Sequence, residues 1–139
     1  MEKTSVTAAT ATPENPLIVE LDREKWRRGK GSYESKLLAG DGRMCCMGFA
    51  ALAFGATPDQ IMGLDTWGSC PVEALAARDT RVGNGGRRFA PAYEANDDQS
   101  YGCDLEDDRR RVWKINGVLT RMGENFRFAL KGDGGPAHE

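Results

Sequence analysis

Alternating apolar and polar residues predict a short strand near each end of the chain. The segment "LIVEL" at 17–21 begins with an apolar, β-branched run and then alternates, and "FRFAL" at 126–130 places every second side chain on one apolar face. Both patterns are typical of half-buried strands. We therefore predict a short sheet, antiparallel or mixed, built from 17–21 and 126–130, with residues 36–38 as an optional third strand.

Two longer segments carry helical patterns of different kinds. Residues 43–54 are small and almost continuously apolar, and Gly55 follows where helices commonly end, which predicts a buried helix. Residues 104–122 repeat apolar side chains at helical spacing, and Asp104 is placed to cap the first turn, which predicts an amphipathic helix. Because glycine is a weak helix former, we expect a bend or break at Gly117. Helices and strands together predict a small α+β domain.

The region between these helices is irregular and contains only short helical patterns. The sequence "TPDQIMG" at 57–63 is a capping box with proline in the first turn, which predicts a short helix. Further helical turns are expected over 71–78 and 90–95.

Composition divides the chain into one folded unit and two tails. Residues 1–16 are rich in Thr, Ala and Pro, and residues 131–139 are rich in glycine and carry the sole histidine, His138. We expect a disordered N-terminal arm over 1–16, a single globular domain over 17–130 and a flexible C-terminal tail over 131–139.

Charge and hydropathy argue against two kinds of partner. The formal net charge is −2, so the chain as a whole does not attract nucleic acid. No apolar run approaches the length of a membrane span, and residues 1–16 lack the apolar core of a secretory signal. We therefore expect a cytoplasmic protein that does not bind membranes and keeps its four cysteines reduced.

Cys45 and Cys46 are the first candidates for chemistry. Structural zinc sites use closely spaced ligand pairs, but this chain has no C-x₂-C pair, and adjacent helical residues point about 100° apart. A nucleophilic cysteine needs a base, and the sole histidine is in the tail, although a helix N-terminus and Arg43 would favour a Cys45 thiolate. The pattern favours two small buried hydrophobic residues. We predict neither a metal site nor a cofactor.

Paired carboxylates are the second candidate. Asn96, Asp97 and Asp98 form the sequence "NDD", which is typical of a turn because these side chains bond to nearby backbone groups. General acid–base catalysis would need both carboxylates in one cleft with separated pKa values, and the spacing does not indicate this. We assign no catalytic residue, and a small enzyme that uses Cys45 or the pair Asp97 and Asp98 is the least favoured hypothesis.

A basic stretch is a candidate for binding nucleic acid. The sequence "REKWRRGK" at 23–30 contains Trp26, Arg27 and Arg28, a mixture that can hold phosphates and stack on bases. A tryptophan between a strand and a buried helix is alternatively a core residue.

The irregular region supplies a candidate surface for a protein partner. Trp67 and Tyr93 are interleaved there with arginines that include Arg87 and Arg88. Tryptophan, tyrosine and arginine dominate the binding energy of protein interfaces. The alternative for Trp67 is that it fills the edge of the core.

The segment "GRMCCMGFAALAFG" at 42–55 resembles the Cys-Cys-Leu-Gly motif of a group of small phage and prophage proteins, with Met47 in place of the usual leucine. Upstream "LDREKWRRGKG" and downstream "NDD", "DDRRR" and "MGENFRF" are similar to further elements of that group, so the resemblance spans residues 17–130. The structural positions of the motif are Cys45, Cys46, Gly48, Asn96 and Asp97.

The resemblance implies a phage or prophage accessory gene and transfers no active site. Together with the lack of a catalytic arrangement, it favours non-catalytic binding of a host protein in the bacterial cytoplasm, in the manner of a host-takeover or anti-defence inhibitor. A nucleic-acid-binding regulator that uses residues 23–30 is the alternative.

Overall fold

The computed structural model describes residues 6–28, 36–83 and 86–133. They form a small α+β domain, which confirms the predicted fold class. A 3₁₀ turn over Trp67–Ser69 lies between the second and third helices. In chain order, the strands and helices are β1 (Leu17–Leu21), α1 (Cys46–Ala53), α2 (Pro58–Ile61), α3 (Glu73–Arg78), β2 (Arg81–Val82), β3 (Gly86–Arg87), α4 (Ala90–Asn96), α5 (Leu105–Met122) and β4 (Phe126–Leu130).

The principal sheet pairs β1 with β4 in parallel, with Leu17 opposite Phe126. The predicted strands 17–21 and 126–130 are confirmed, but the antiparallel or mixed arrangement is wrong. A parallel pair needs a long crossover, and here the helices α1 to α5 lie in that crossover. The optional strand at 36–38 does not join this sheet, since Leu38 makes an isolated bridge to Met62 instead.

Helix α1 begins three residues later than the predicted start at 43. Met44 is extended and forms a parallel bridge with Trp26, in which its amide donates to the Lys25 carbonyl at 2.8 Å. This pairing holds the chain out of the helix until Cys45, which occupies the N-cap position. The prediction of a buried helix is confirmed, since Cys46, Met47 and several alanines of α1 are buried.

Helix α5 has the predicted boundaries. The Asp104 side chain accepts a hydrogen bond from the Asp107 amide at 2.8 Å, and Gly123 ends the helix with a left-handed φ of 75°. The expected break at Gly117 does not occur, because the helix continues through it to Met122. Buried Asn116 and Val118 on either side fix this turn of the helix against the core.

A side chain of α5 completes the outer edge of β4. The Asn116 carboxamide accepts from the Phe128 amide at 2.8 Å and donates to the Phe128 carbonyl at 3.0 Å. It thus takes the place of a third strand and satisfies backbone groups that a two-stranded sheet would otherwise leave unpaired.

The short helices agree with the sequence in type and differ slightly in extent. In α2, the Gln60 side chain accepts from the Thr57 amide at 2.9 Å, which confirms the predicted capping box. The helical turns expected over 71–78 and 90–95 correspond to α3 and α4.

Parts of the predicted arm and tail lie outside the described residues. These parts are residues 1–5 of the arm and residues 134–139 of the tail, which include His138. Within the described part, the Ala11 carbonyl accepts a hydrogen bond from the Asn125 side chain at 3.3 Å.

Gly48 allows a very close approach between α1 and the preceding loop. A Cβ atom at this position would overlap the backbone carbonyl of Leu37, whereas a Cβ at Gly40 would meet open space. The Gly48→Ala variant must therefore displace backbone, and we expect it to lose about 3 kcal/mol of unfolding free energy or more. Gly40→Ala is the control and should stay within about 0.5 kcal/mol of wild type in urea unfolding. Equal stability of the two variants would contradict this packing.

Candidate functional site

The paired cysteines are part of the core, as predicted. Cys45 is 2% exposed and Cys46 is fully enclosed. Burial raises the pKa of the Cys45 thiol to about 12, and burial also raises the pKa of Cys46 well above its ordinary value. The alternative, a Cys45 thiolate favoured by the helix N-terminus, does not arise, because desolvation of the thiolate outweighs the favourable backbone hydrogen bonds.

Asn96 explains why the motif tolerates cysteine at a helix start. The Cys45 side chain makes no capping bond. Instead Asn96, at the end of α4, accepts from the Cys46 amide at 2.9 Å and from the Trp26 indole N–H at 2.7 Å. Its amide group donates to the Arg27 carbonyl at 3.0 Å and to the Asp97 carboxylate at 2.8 Å. The buried carboxamide therefore joins three segments that are distant in sequence.

Two of the residues in the basic stretch, Trp26 and Arg28, are used inside the protein. Trp26 is fully buried, so it cannot meet a partner at the surface, and that prediction is corrected. Arg28 is also buried and forms two bonds with the Asp108 carboxylate, at 2.6 and 2.8 Å. Arg23 donates to the same carboxylate at 2.6 Å. Arg27 is half-buried, and residues 29 and 30 lie outside the described residues.

The predicted contacts of Trp67 and Tyr93 are likewise internal. Trp67 is fully buried among aromatic rings, with its centroid 5.1 Å from that of Phe89 and 5.7 Å from that of Phe126. The half-buried Tyr93 donates its hydroxyl to the buried Asp79 carboxylate and accepts from the Trp67 amide, both at 2.8 Å. The prediction that Trp67 contacts a partner is therefore corrected, because its interior alternative is the one observed.

The carboxylates of the "NDD" turn do not form an acid–base pair. Asp98 bonds Lys114 at 2.5 Å and also Ser100, and the Lys114 hydrogen bond is the largest influence that holds the pKa of Asp98 below its ordinary value. Asp97 is buried and accepts from Asn96. Asp98 therefore stays ionised at neutral pH and is fixed as an ion pair.

Buried Arg111 organises the loop that follows this turn. Its guanidinium donates to the carbonyls of Asn96, Asp98, Tyr101 and Gly102, at distances of 2.7–3.1 Å. One guanidinium thus satisfies backbone carbonyls over residues 96–102 that have no partner in a helix or sheet. These bonds fix the conformation of this part of the irregular region.

Arg87 and Arg88 lie at the surface. That they contact a partner stays a prediction. Arg87 is half-buried and donates to the Asp79 carbonyl at 3.3 Å. Arg88 forms an ion pair with Glu124 and donates to the Met122 carbonyl at 3.3 Å. Arg88 therefore lies at the C-terminal end of α5.

The structure adds a residue that the sequence analysis missed. Trp113, on the outer face of α5, is 49% exposed. Its neighbours on the helix surface are ion-paired: Arg109 with Asp133 at 2.8 Å and Arg110 with Asp107 at 3.1 Å. The available signal was helical spacing, because position 113 lies off the apolar stripe formed by the buried residues of α5.

Metal ligands and membrane-spanning segments are two further kinds of site to consider in the described ranges, 6–28, 36–83 and 86–133. Within them, no group of three His, Cys, Asp or Glu side chains is arranged to hold a metal ion. In the same ranges, no helix combines the length and apolar character needed to cross a membrane.

No family model, curated protein or solved structure matches this chain. The chemistry and contacts of its own residues are therefore the basis for assigning a function.

The cysteines should differ sharply in reactivity. Alkylation requires a thiolate, and burial keeps Cys45, Cys46 and Cys70 from solvent, while Cys103 is exposed. Near pH 8, iodoacetamide should modify only Cys103 in the folded protein and all four cysteines after denaturation. Mass spectrometry of a time course reads this directly. Modification of Cys45 in the folded protein at the rate of Cys103 would restore the nucleophile hypothesis.

Asn96 should be a strong determinant of stability. Asn96→Ala leaves the Trp26 indole N–H and the Cys46 amide buried without their acceptor, so we expect a loss of about 3 kcal/mol or more. The control Asn15→Ala removes an exposed amide and should change stability by less than about 0.5 kcal/mol. Urea unfolding of both variants measures the difference, and similar values would refute the role given to Asn96.

Proposed function

We propose that the protein is a phage- or prophage-encoded accessory protein that binds a host protein without catalysis, in the bacterial cytoplasm. The proposed origin rests on the resemblance around Cys45-Cys46-Met47-Gly48. The mode of action rests on how the structure uses its reactive and polar groups.

Groups that could perform chemistry are used internally. The Cys45 and Cys46 thiols are buried with raised pKa values, and Asp98 is held by Lys114. Asp79 is buried and bonds the Phe89 amide and the Tyr93 hydroxyl. An enzyme needs such groups in contact with substrate, so this arrangement favours a binding protein.

The half-exposed Trp113 is the observation that carries the proposal. A tryptophan exposes up to about 250 Å², so covering the exposed half in an interface would contribute about 3 kcal/mol. Trp113 lies on an eighteen-residue helix that is anchored on its other face by buried residues such as Val112 and Ile115. A rigid aromatic anchor of this kind is typical of interface hot spots.

The surroundings of Trp113 favour protein over nucleic acid. Arg109, Arg110 and Lys114 are each paired with a carboxylate, so the positive charge beside the indole is largely neutralised. Phosphate binding depends on uncompensated positive charge. An apolar anchor inside a rim of ion pairs instead matches the anatomy of a protein interface.

Replacing the exposed tryptophan tests this function. Trp113→Ala should fold normally but lose the partner that the wild-type protein recovers from host lysate at physiological salt, because a hot spot contributes about 2 kcal/mol or more. Met62→Ala is the matched control, since Met62 is 48% exposed and lies outside α5. Recovered proteins are identified by mass spectrometry, and the dissociation constant should rise about thirtyfold for Trp113→Ala alone.

The proposal fails if the wild-type protein recovers no protein partner, or if Trp113→Ala binds that partner as well as Met62→Ala does. Circular dichroism of both variants separates loss of binding from loss of folding.

A further inference from the structure

Three arginines contact Glu124, just after the C-terminal end of α5, and two more lie on the adjoining β2–β3 pair. Arg78 and Arg88 both form ion pairs with the Glu124 carboxylate, and Arg127 donates to its backbone carbonyl at 2.8 Å. Arg87 precedes Arg88 in the chain and lies opposite Arg81 in the β2–β3 pair. We call the following set the arginine cluster: Arg78, Arg81, Arg87, Arg88 and Arg127.

Aromatic rings hold two members of the cluster in place. The Arg78 guanidinium lies 4.8 Å from the Phe54 ring centroid and 5.4 Å from that of Trp67. Arg88 lies 5.3 Å from the Phe89 ring. Their side chains nevertheless remain 26% and 36% exposed. A guanidinium fixed in this way loses little conformational entropy when it binds a further anion.

The arginine cluster lies at the C-terminal end of the helix that carries Trp113. Arg88 donates to the carbonyl of Met122, the last residue of α5. Met122 lies nine residues after Trp113, which is about 14 Å along the helix axis. Between them, Arg121 reaches back toward Gly117, and its Nη1 would lie 3.5 Å from a Cβ atom placed on that glycine. Nine residues also rotate half a turn around the helix axis, so a partner contacts both features by covering the outer face of α5 and reaching around its C-terminal end.

We propose that the arginine cluster binds an acidic segment of the protein partner, an inference that rests on the function proposed above. Two of its arginines already hold a carboxylate, that of Glu124, and their planar groups suit carboxylates in general. The five arginines outnumber the one carboxylate of Glu124 that two of them hold, so the cluster keeps a surplus of positive charge in a chain whose net charge is −2. A long nucleic acid would be repelled beyond the cluster, whereas a short acidic peptide meets only the cluster.

A labelled oligo-glutamate peptide is a direct probe of this surface. The wild-type protein should bind it at about 50 mM salt, more weakly at about 300 mM, and more tightly than an oligothymidine of similar charge. Fluorescence anisotropy gives the dissociation constants. Arg81→Glu combined with Arg87→Glu should weaken peptide binding roughly tenfold or more. The single variant Arg81→Glu changes an exposed side chain and should show a smaller loss in the same direction.

A matched control makes the same change in charge elsewhere. Lys25 and Arg43 are exposed and lie on neighbouring segments, since Met44 bonds the Lys25 carbonyl. Lys25→Glu combined with Arg43→Glu should leave peptide binding within about twofold of wild type, apart from the general effect of net charge.

The inference is overturned if wild type does not bind the peptide at low salt, if the control pair loses as much affinity as the cluster pair, or if oligothymidine binds more tightly. Its failure is distinct from failure of the proposed function. Recovery of a partner that depends on Trp113, together with no peptide binding, overturns the acidic-segment inference alone.

Discussion

The buried carboxamide of Asn96 is the constraint on which the arrangement of this small domain depends. Its two acceptor bonds and two donor bonds join the end of α4 to the start of α1 and to the segment around Trp26. Since an unpaired buried amide or indole N–H is costly, these segments are fixed together. The cysteines at the start of α1 need not cap the helix, because Asn96 accepts the hydrogen bond from the Cys46 amide. Their side chains can serve packing alone.

Buried charged side chains likewise join distant segments of the chain around α5. Asp108 gathers Arg23 and Arg28, while Arg111 holds four backbone carbonyls of the loop that precedes the helix. Such groups are expensive to desolvate, and these hydrogen bonds offset much of that cost, although the Arg111 Nε is buried without a hydrogen-bond partner among the described residues. The result is a rigid helix whose inner face carries the polar network, and whose outer face is left for Trp113. Arg28 and Arg111 are buried in this network, whereas the other arginines reach the surface wholly or in part.

The sequence predicted the local structure well, because local signals determine it. The caps at Asp104 and Thr57 and the strand at 126–130 were confirmed, although Ala129, which lies off the alternating apolar face, is buried as well. It could not predict the parallel pairing or the role of Asn116 at the edge of β4, since both depend on contacts between distant residues. No turn restrains the direction of two strands so far apart.

The tryptophans show the same limit at the candidate site. The basic or irregular surroundings of Trp26 and Trp67 favour a surface role, yet both are core residues with hydrogen-bonded indole groups. Trp113 has the plainest helical context and is the exposed one. Composition near a residue is thus a weak guide to exposure, while its position relative to the apolar stripe of a helix is a stronger one.

The parallel pairing of β1 with β4 also has a consequence for synthesis: residues 17–21 must wait for 126–130 to be translated before the sheet can form. Until then, the edge of β1 is open to chaperones and to aggregation.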